Sequence, residues 1–267
     1  MNAMGRLTGK VAIVTGAASR GEGVGNGSAT AMLFAREGAS VVLVNRKEDR
    51  AKALEATIRA EGGEATAFAA DVTQPEAAEA VAAFAMERYG RLDILQNNVG
   101  IGRPGSAEKI TLADWNRVFQ TNLTSALLCT QAAIPRMRAS GGGSVINVSS
   151  IAGATGLMTP PDVPGAVAYT TTKAGLHGFT LSVAAEFARE GIRSNCLVVG
   201  TVYTPMVAYL GEEARDRRRL SVPLQTEGTG WDVAHAAVFL ASDESRWITG
   251  VMLPIDGGVL ATHPWPR

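Results

Sequence analysis

Val11-Ala12-Ile13-Val14-Thr15-Gly16 is a β-branched apolar run ending on glycine; a glycine-rich turn then runs to Gly27 and leads into a helical pattern from Ser28 to about Glu37. A short apolar run without alternation reads as a strand buried on both faces. The glycines let backbone approach a ligand closely, and the helix start beyond them offers free N–H groups and the positive end of a dipole. Thr15-Gly16 and Gly25-Asn26-Gly27 therefore read as a phosphate-binding turn set between a first strand and a first helix.

Outward from this turn the alternation continues. Gly38 stops the first helix, and strands are expected at 41–44, 66–70, 92–96, 144–148, 193–199 and 251–255. Helices are expected between them at 47–60, 75–88 (with Pro75 near its start), about 111–137, 168–189 and 232–241, with an irregular stretch after Gly200. Strict alternation predicts an α/β protein with one doubly wound parallel sheet of about seven strands, Rossmann-type, in a single domain over 1–267. Such sheets bind ligands outside the carboxyl ends of their strands. Thr15-Gly16, Asn45, Asp71, Asn97-Asn98, Ser149-Ser150 and Val199-Gly200 fall at those ends and describe one site.

The chain's 267 residues, 46% of them hydrophobic, are enough for a sizeable core, and 25 basic residues against 25 acidic leave no footprint for nucleic acid or a membrane surface. The run Arg215–Arg219 contains an acid and reads as a solvated helix face. Cys129 and Cys196 lack CxxC spacing and read as buried free thiols, which fits a reducing compartment. No apolar run approaches the length of a membrane span, so a soluble, cytoplasmic protein is expected. His177 and His235 have no ligand spacing, and no metal is implied.

Tyr169 and Lys173, four apart, stack on one helix face. A phenol ordinarily keeps its proton to about pH 10, and a fixed ammonium beside it favours the phenolate. The second strand ends on Asn45-Arg46, where an acid would bind the ribose 2′-hydroxyl of NAD. There is no acid here. Asn45 removes the charge that would repel a 2′-phosphate and Arg46 offers one a partner. NADP(H) is favoured, with NAD(H) open because asparagine can still bond a ribose hydroxyl.

Together these residues resemble the short-chain dehydrogenase/reductase family from about Leu7 to Gly258. Besides the glycine turn, Asp71-Val72 is similar to the family's adenine-contacting pair, Asn97-Asn98-Val99-Gly100 to its Asn-Asn-Ala-Gly, and Gly200 to Thr204, including Val202, to the segment holding the nicotinamide carboxamide. Asn122, Ser150, Tyr169 and Lys173 match the catalytic tetrad. The resemblance implies that Tyr169 exchanges a proton with the substrate oxygen, Ser150 orients that oxygen, Lys173 lowers the tyrosine pKa and binds the nicotinamide ribose, and Asn122 holds a proton-relaying water. It implies hydride transfer between a nicotinamide coenzyme and an alcohol or ketone, in a homotetramer or homodimer. A coenzyme-binding sensor and an epimerase or dehydratase are the alternatives, and the complete tetrad argues against the sensor.

Three departures stand out. Gly16 to Gly25 is nine steps where the family has four, Ser150 to Tyr169 is nineteen where about 12 to 14 is usual, and Val199 replaces a proline. The longer second interval carries Pro160, Pro161 and Pro164 and is expected to be stiff. Leu157, Met158, Val163, Tyr203, Met206, Tyr209 and Leu210 are expected around an apolar substrate pocket. The tail 257–267 is expected at a subunit interface.

Overall fold

The computed structural model describes residues 5–19, 21, 23–156, 165–205, 207 and 211–262. Seven strands form one parallel sheet: β1 (Val11–Thr15), β2 (Ser40–Asn45), β3 (Glu64–Ala69), β4 (Ile94–Asn97), β5 (Gly143–Ser150), β6 (Ile192–Val199) and β7 (Met252–Ile255). Their order across the sheet is β3-β2-β1-β4-β5-β6-β7. The order reverses between β1 and β4, so the crevice of a doubly wound sheet opens at their carboxyl ends.

Helices α1 (Asn26–Arg36), α2 (Glu48–Ala60) and α8 (Gly230–Ala241) cover one face, where Phe34, Ile58 and Leu240 pack with Val14, Leu43 and Ile146. Helices α3 (Pro75–Tyr89), α5 (Ser125–Ala139) and α6 (Val167–Phe187) cover the other, where Ala85, Met137 and Val183 meet Ile13, Leu95 and Val145. Each large apolar side chain so buried contributes about 1.5–3 kcal/mol. All five residues of β1 are buried, as a central parallel strand requires.

The helix expected over 111–137 is three pieces: α4 (Leu112–Phe119), a π turn over Gln120–Thr124, and α5. No glycine or proline interrupts residues 112–134, so the sequence conceals the extra residue in the turn. The stretch read as irregular after Gly200 contains a two-residue parallel pair (Val202–Tyr203 with Gly228–Thr229) and helix α7 (Gly211–Leu220). Helix α7 buries none of its residues and holds the basic run, as expected of a solvated helix. Both cysteines are free and buried, and no helix of the described residues is long and apolar enough to cross a membrane.

A polar ladder crosses the core beneath the sheet's carboxyl edge. Asn97 Nδ2 donates to Asn147 Oδ1 at 2.9 Å and to Thr130 Oγ1 at 3.2 Å, and Asn147 Nδ2 donates to Thr180 Oγ1 at 2.9 Å. It ties β4, β5, α5 and α6 at one level and sets Asn97 opposite Asn147 in the strand register.

Candidate active site

A cavity of about 710 Å³ lies along the carboxyl ends of the strands. Among the residues expected to hold a dinucleotide, Gly16, Gly25, Asn26 and Gly27 line it at the turn, then Asn45, Arg46, Asp71, Val72, Asn98 and Gly100, then Gly200, Val202 and Thr204. Gly16 has φ +63°, left-handed backbone that favours glycine. A Cβ on Gly27 would run into the Gly16 carbonyl oxygen and, at 2.5 Å, the Asn98 amide, which itself donates to Gly16 O at 3.0 Å. The cradle thus stays open only without side chains. On its wall Asn26 Oδ1 is buried with no partner among the described residues. No acid occupies the first turn of α1. A glycine-lined helix start with free N–H groups and no acid in its first turn fits a pyrophosphate.

At the far end of β2, Asn45 is closed on itself: its Nδ2 donates to Ala18 O at 2.9 Å and its Oδ1 accepts from Lys47 N at 2.9 Å. Arg46 faces Asp71 at 3.6 Å. Burial pushes the Asp71 carboxyl up, but hydrogen bonds from the Thr73 hydroxyl and N–H and the charge of Arg46 outweigh it and leave it below the usual range. Lys47 and Arg50 also line this end. Sequence reading missed both, along with Ser19, which accepts from Gly25 N at 2.9 Å; the crowding of cations just after β2 was the available signal.

Ser150, Tyr169 and Lys173 converge on the same cavity. Ser150 ends β5, and Tyr169 and Lys173 stand one turn apart on α6. The buried Lys173 donates from Nζ to Val148 O at 2.7 Å and lies 5.6 Å from the centre of the Tyr169 ring. Burial pulls its ammonium down to about 8. The expectation that Lys173 lowers the tyrosine's pKa is corrected here. Burial pushes the Tyr169 phenol above its ordinary range, and the opposing pull comes from the Ser150 hydroxyl. The ammonium is engaged at a backbone carbonyl, so desolvation of the phenolate dominates.

Asn122 sits in the π turn, buried, and does not line the cavity. Its Oδ1 accepts from Ile101 N at 2.8 Å; its Nδ2 donates to Ile101 O at 2.9 Å and to Thr172 Oγ1 at 3.1 Å. The side chain clamps the loop after β4 to α6. Ser149, read from the sequence only as a strand-end residue, donates its hydroxyl to Lys173 O at 2.8 Å and meets His177 Nε2 at 2.9 Å. Burial, then the charge of Lys173, holds the His177 imidazole below its usual range.

Of the expected substrate pocket, Leu157, Met158, Val163, Met206, Tyr209 and Leu210 lie outside the described residues. Tyr203 does not line the cavity, and the Arg215 guanidinium covers its ring at 3.9 Å. Apolar residues that do line the cavity are Ile151, Ala152, Val199, Pro205 and Val207.

A family model described as enoyl-(acyl carrier protein) reductase, of the short-chain type, matches residues 16–260. The chain is a short-chain dehydrogenase/reductase. It is 41% identical over 253 residues to a 2,5-dichloro-2,5-cyclohexadiene-1,4-diol dehydrogenase of Sphingobium indicum, covering 95% of this chain and 97% of that one. It is 38% identical over 262 residues to a trans-4-hydroxycyclohexanecarboxylate dehydrogenase of Sinomonas cyclohexanicum, covering 96% and 95%. A crystal structure of a Burkholderia xenovorans protein assigned to the short-chain dehydrogenases/reductases superposes with a TM-score of 0.91 at 40% identity, covering 97% of this chain and all of that one. This short-chain dehydrogenase/reductase is an oxidoreductase that uses a nicotinamide coenzyme and acts on alcohol and carbonyl groups.

Proposed function

We propose that this single-domain, cytoplasmic enzyme interconverts a secondary alcohol and a ketone on an apolar carbocyclic ring, with NADP(H) as coenzyme and Tyr169 as the general acid/base. The observation that carries the reading is the convergence of Ser150, Tyr169 and Lys173 in one cavity with the glycine cradle. The bound nicotinamide supplies the hydride chemistry; the chain supplies orientation and the proton. Tyr169, kept protonated by burial, donates to the substrate oxygen during reduction. Ser150 donates to the same oxygen and fixes its position. Lys173 presents a cation beneath the ring, able to release Val148 O for a ribose hydroxyl. Asn122 holds the loop that carries Gly100 and Ile101.

The apolar residues in the cavity's lining suit a hydrocarbon ring, and both curated relatives above are named for alcohols on six-membered carbocycles. NADP(H) rests on the uncharged Asn45 and the three cations Arg46, Lys47 and Arg50 at the ribose end. Exposed Leu127, Leu181 and Trp247, the last 91% exposed, support assembly into a homotetramer, which sedimentation tests.

Nicotinamide absorbance is to be followed with cyclohexanones, cyclohexanols and acyl thioesters under both coenzymes. Turnover confined to acyl thioesters would overturn the carbocyclic reading in favour of the activity in the family model's description. Tyr169→Phe is expected to abolish turnover and leave coenzyme affinity within about twofold; retained turnover would remove Tyr169 from the mechanism.

A further inference from the structure

A second concavity, of about 270 Å³, opens beside the main cavity and shares Arg46 and Thr121 with it. Its other walls are Ile101, Gly102, Arg103 and Arg117. Three guanidinium groups, from the end of β2, the loop after β4 and the end of α4, therefore face one small space. Acids stand off from two of them: Arg46 Nη1 is 3.6 Å from Asp71 Oδ2 and Arg103 Nε is 3.8 Å from Asp114 Oδ1. Arg117 makes no side-chain ion pair among the described residues. Arg36 and Arg91 are placed differently, each forking onto a carboxylate through two hydrogen bonds of 2.7 to 3.0 Å.

A guanidinium presents five donors in a planar fork suited to phosphate or carboxylate oxygens. Here three forks gather with two loosely held acids, leaving excess positive charge and unused donors on one wall. The lining holds a single aliphatic side chain, Ile101, and no carboxylate. The ligand that satisfies such a wall is a compact dianion with several acceptor oxygens.

We propose that Arg46, Arg103 and Arg117 form a binding site for a phosphate-class dianion, inorganic phosphate or a phosphomonoester, separate from the coenzyme's own phosphates. The back wall gives the site a route to the active centre. Ile101 is clamped at both its N–H and its carbonyl by Asn122, and Thr121 is the residue before it. Arg46 gives it a route to the coenzyme. An anion that recruits Arg46 competes with any 2′-phosphate for that side chain, so occupancy weakens NADPH more than NADH. Only this coupling rests on the coenzyme reading proposed above; the site itself does not.

The test is calorimetric titration of inorganic phosphate into the enzyme saturated with NADH, at ionic strength held constant with sodium chloride. Saturable binding is expected, weakened about tenfold or more in both Arg117→Gln and Arg103→Gln. NADH affinity and the melting temperature should stay unchanged in both variants, and the exposed Arg189→Gln should bind phosphate as the parent does. Absence of saturable heat, or equal binding by the parent and the two pocket variants, would overturn the site. Phosphate binding to the coenzyme-free enzyme that NADH abolishes would overturn its separateness and return the arginines to the coenzyme.

Discussion

Asn122→Ala is a sharp test of how the active centre is held. The amide makes three hydrogen bonds of 2.8 to 3.1 Å from a buried position, two to the backbone of Ile101 and one to Thr172. Each contributes about 1 kcal/mol net, so the truncation costs about 3 kcal/mol. Thr172 keeps its own bond to Tyr169 O at 2.8 Å, so the loss falls mainly on Ile101. For a chain of this size that corresponds to a fall in melting temperature of roughly 6–12 °C. Thermal unfolding followed by circular dichroism, at a pH where the parent unfolds reversibly, reads it directly. Turnover should drop as well, because the loop that loses its clamp carries Gly100, where a Cβ would lie only 3.5 Å from Lys173 Nζ. A melting temperature within about 2 °C of the parent's would show that the clamp is not a principal support.

Lys173→Met is expected to abolish turnover yet raise stability at pH 7. The folded-state pKa of about 8 lies below the ordinary 10.5, so the unfolded chain binds the proton more tightly. The charged lysine therefore costs the folded state about 3 kcal/mol below pH 8, a cost that fades through 10.5. After loss of the bond to Val148 O, a gain of about 2 kcal/mol remains near pH 7 and shrinks towards pH 10. Urea midpoints at the two pH values measure it; an equal gain at both would refute the assignment. Arg46→Ser should raise KM for NADPH about tenfold or more and leave NADH nearly unchanged, and parallel changes with both coenzymes would count against a 2′-phosphate contact. Burial pushes the Cys129 and Cys196 thiols up to about 12 and about 11. Iodoacetamide near pH 8 should add nothing to the folded protein by intact mass and two groups after denaturation.

The fold was legible because β1 and β2 are apolar runs and α1, α2 and α3 are followed by turn glycines, Gly38, Gly62 and Gly90. The convergence of Gly16, Asn45, Asp71, Asn98 and Ser150 was legible for a topological reason, since strand ends of a doubly wound sheet share one edge. What stayed hidden depends on distance in space or on solvation. Arg46, Arg103 and Arg117 are far apart in the chain and meet only once α4 is placed. Helix α7 has no apolar face to give its bounds a period. The Tyr169–Lys173 spacing announced proximity correctly but not its effect, because the desolvation of the phenol and the Val148 carbonyl that engages the ammonium are not written in the spacing.

The Asn97–Asn147 ladder has a consequence for accuracy of assembly. Apolar parallel strands slide past one another at little cost, since valine against isoleucine is nearly as good one position along. An amide seated against an amide is not so tolerant, because a displaced pair leaves buried donors and acceptors empty. A slip of a single residue in β5 would also turn Ser150 to the opposite side of the sheet and bring its neighbour forward. Three residues upstream of Ser150, the asparagine acts as an alignment pin. The chemistry sits at a strand tip, where tolerance is poorest, and the pin that sets the tip's position lies in the core.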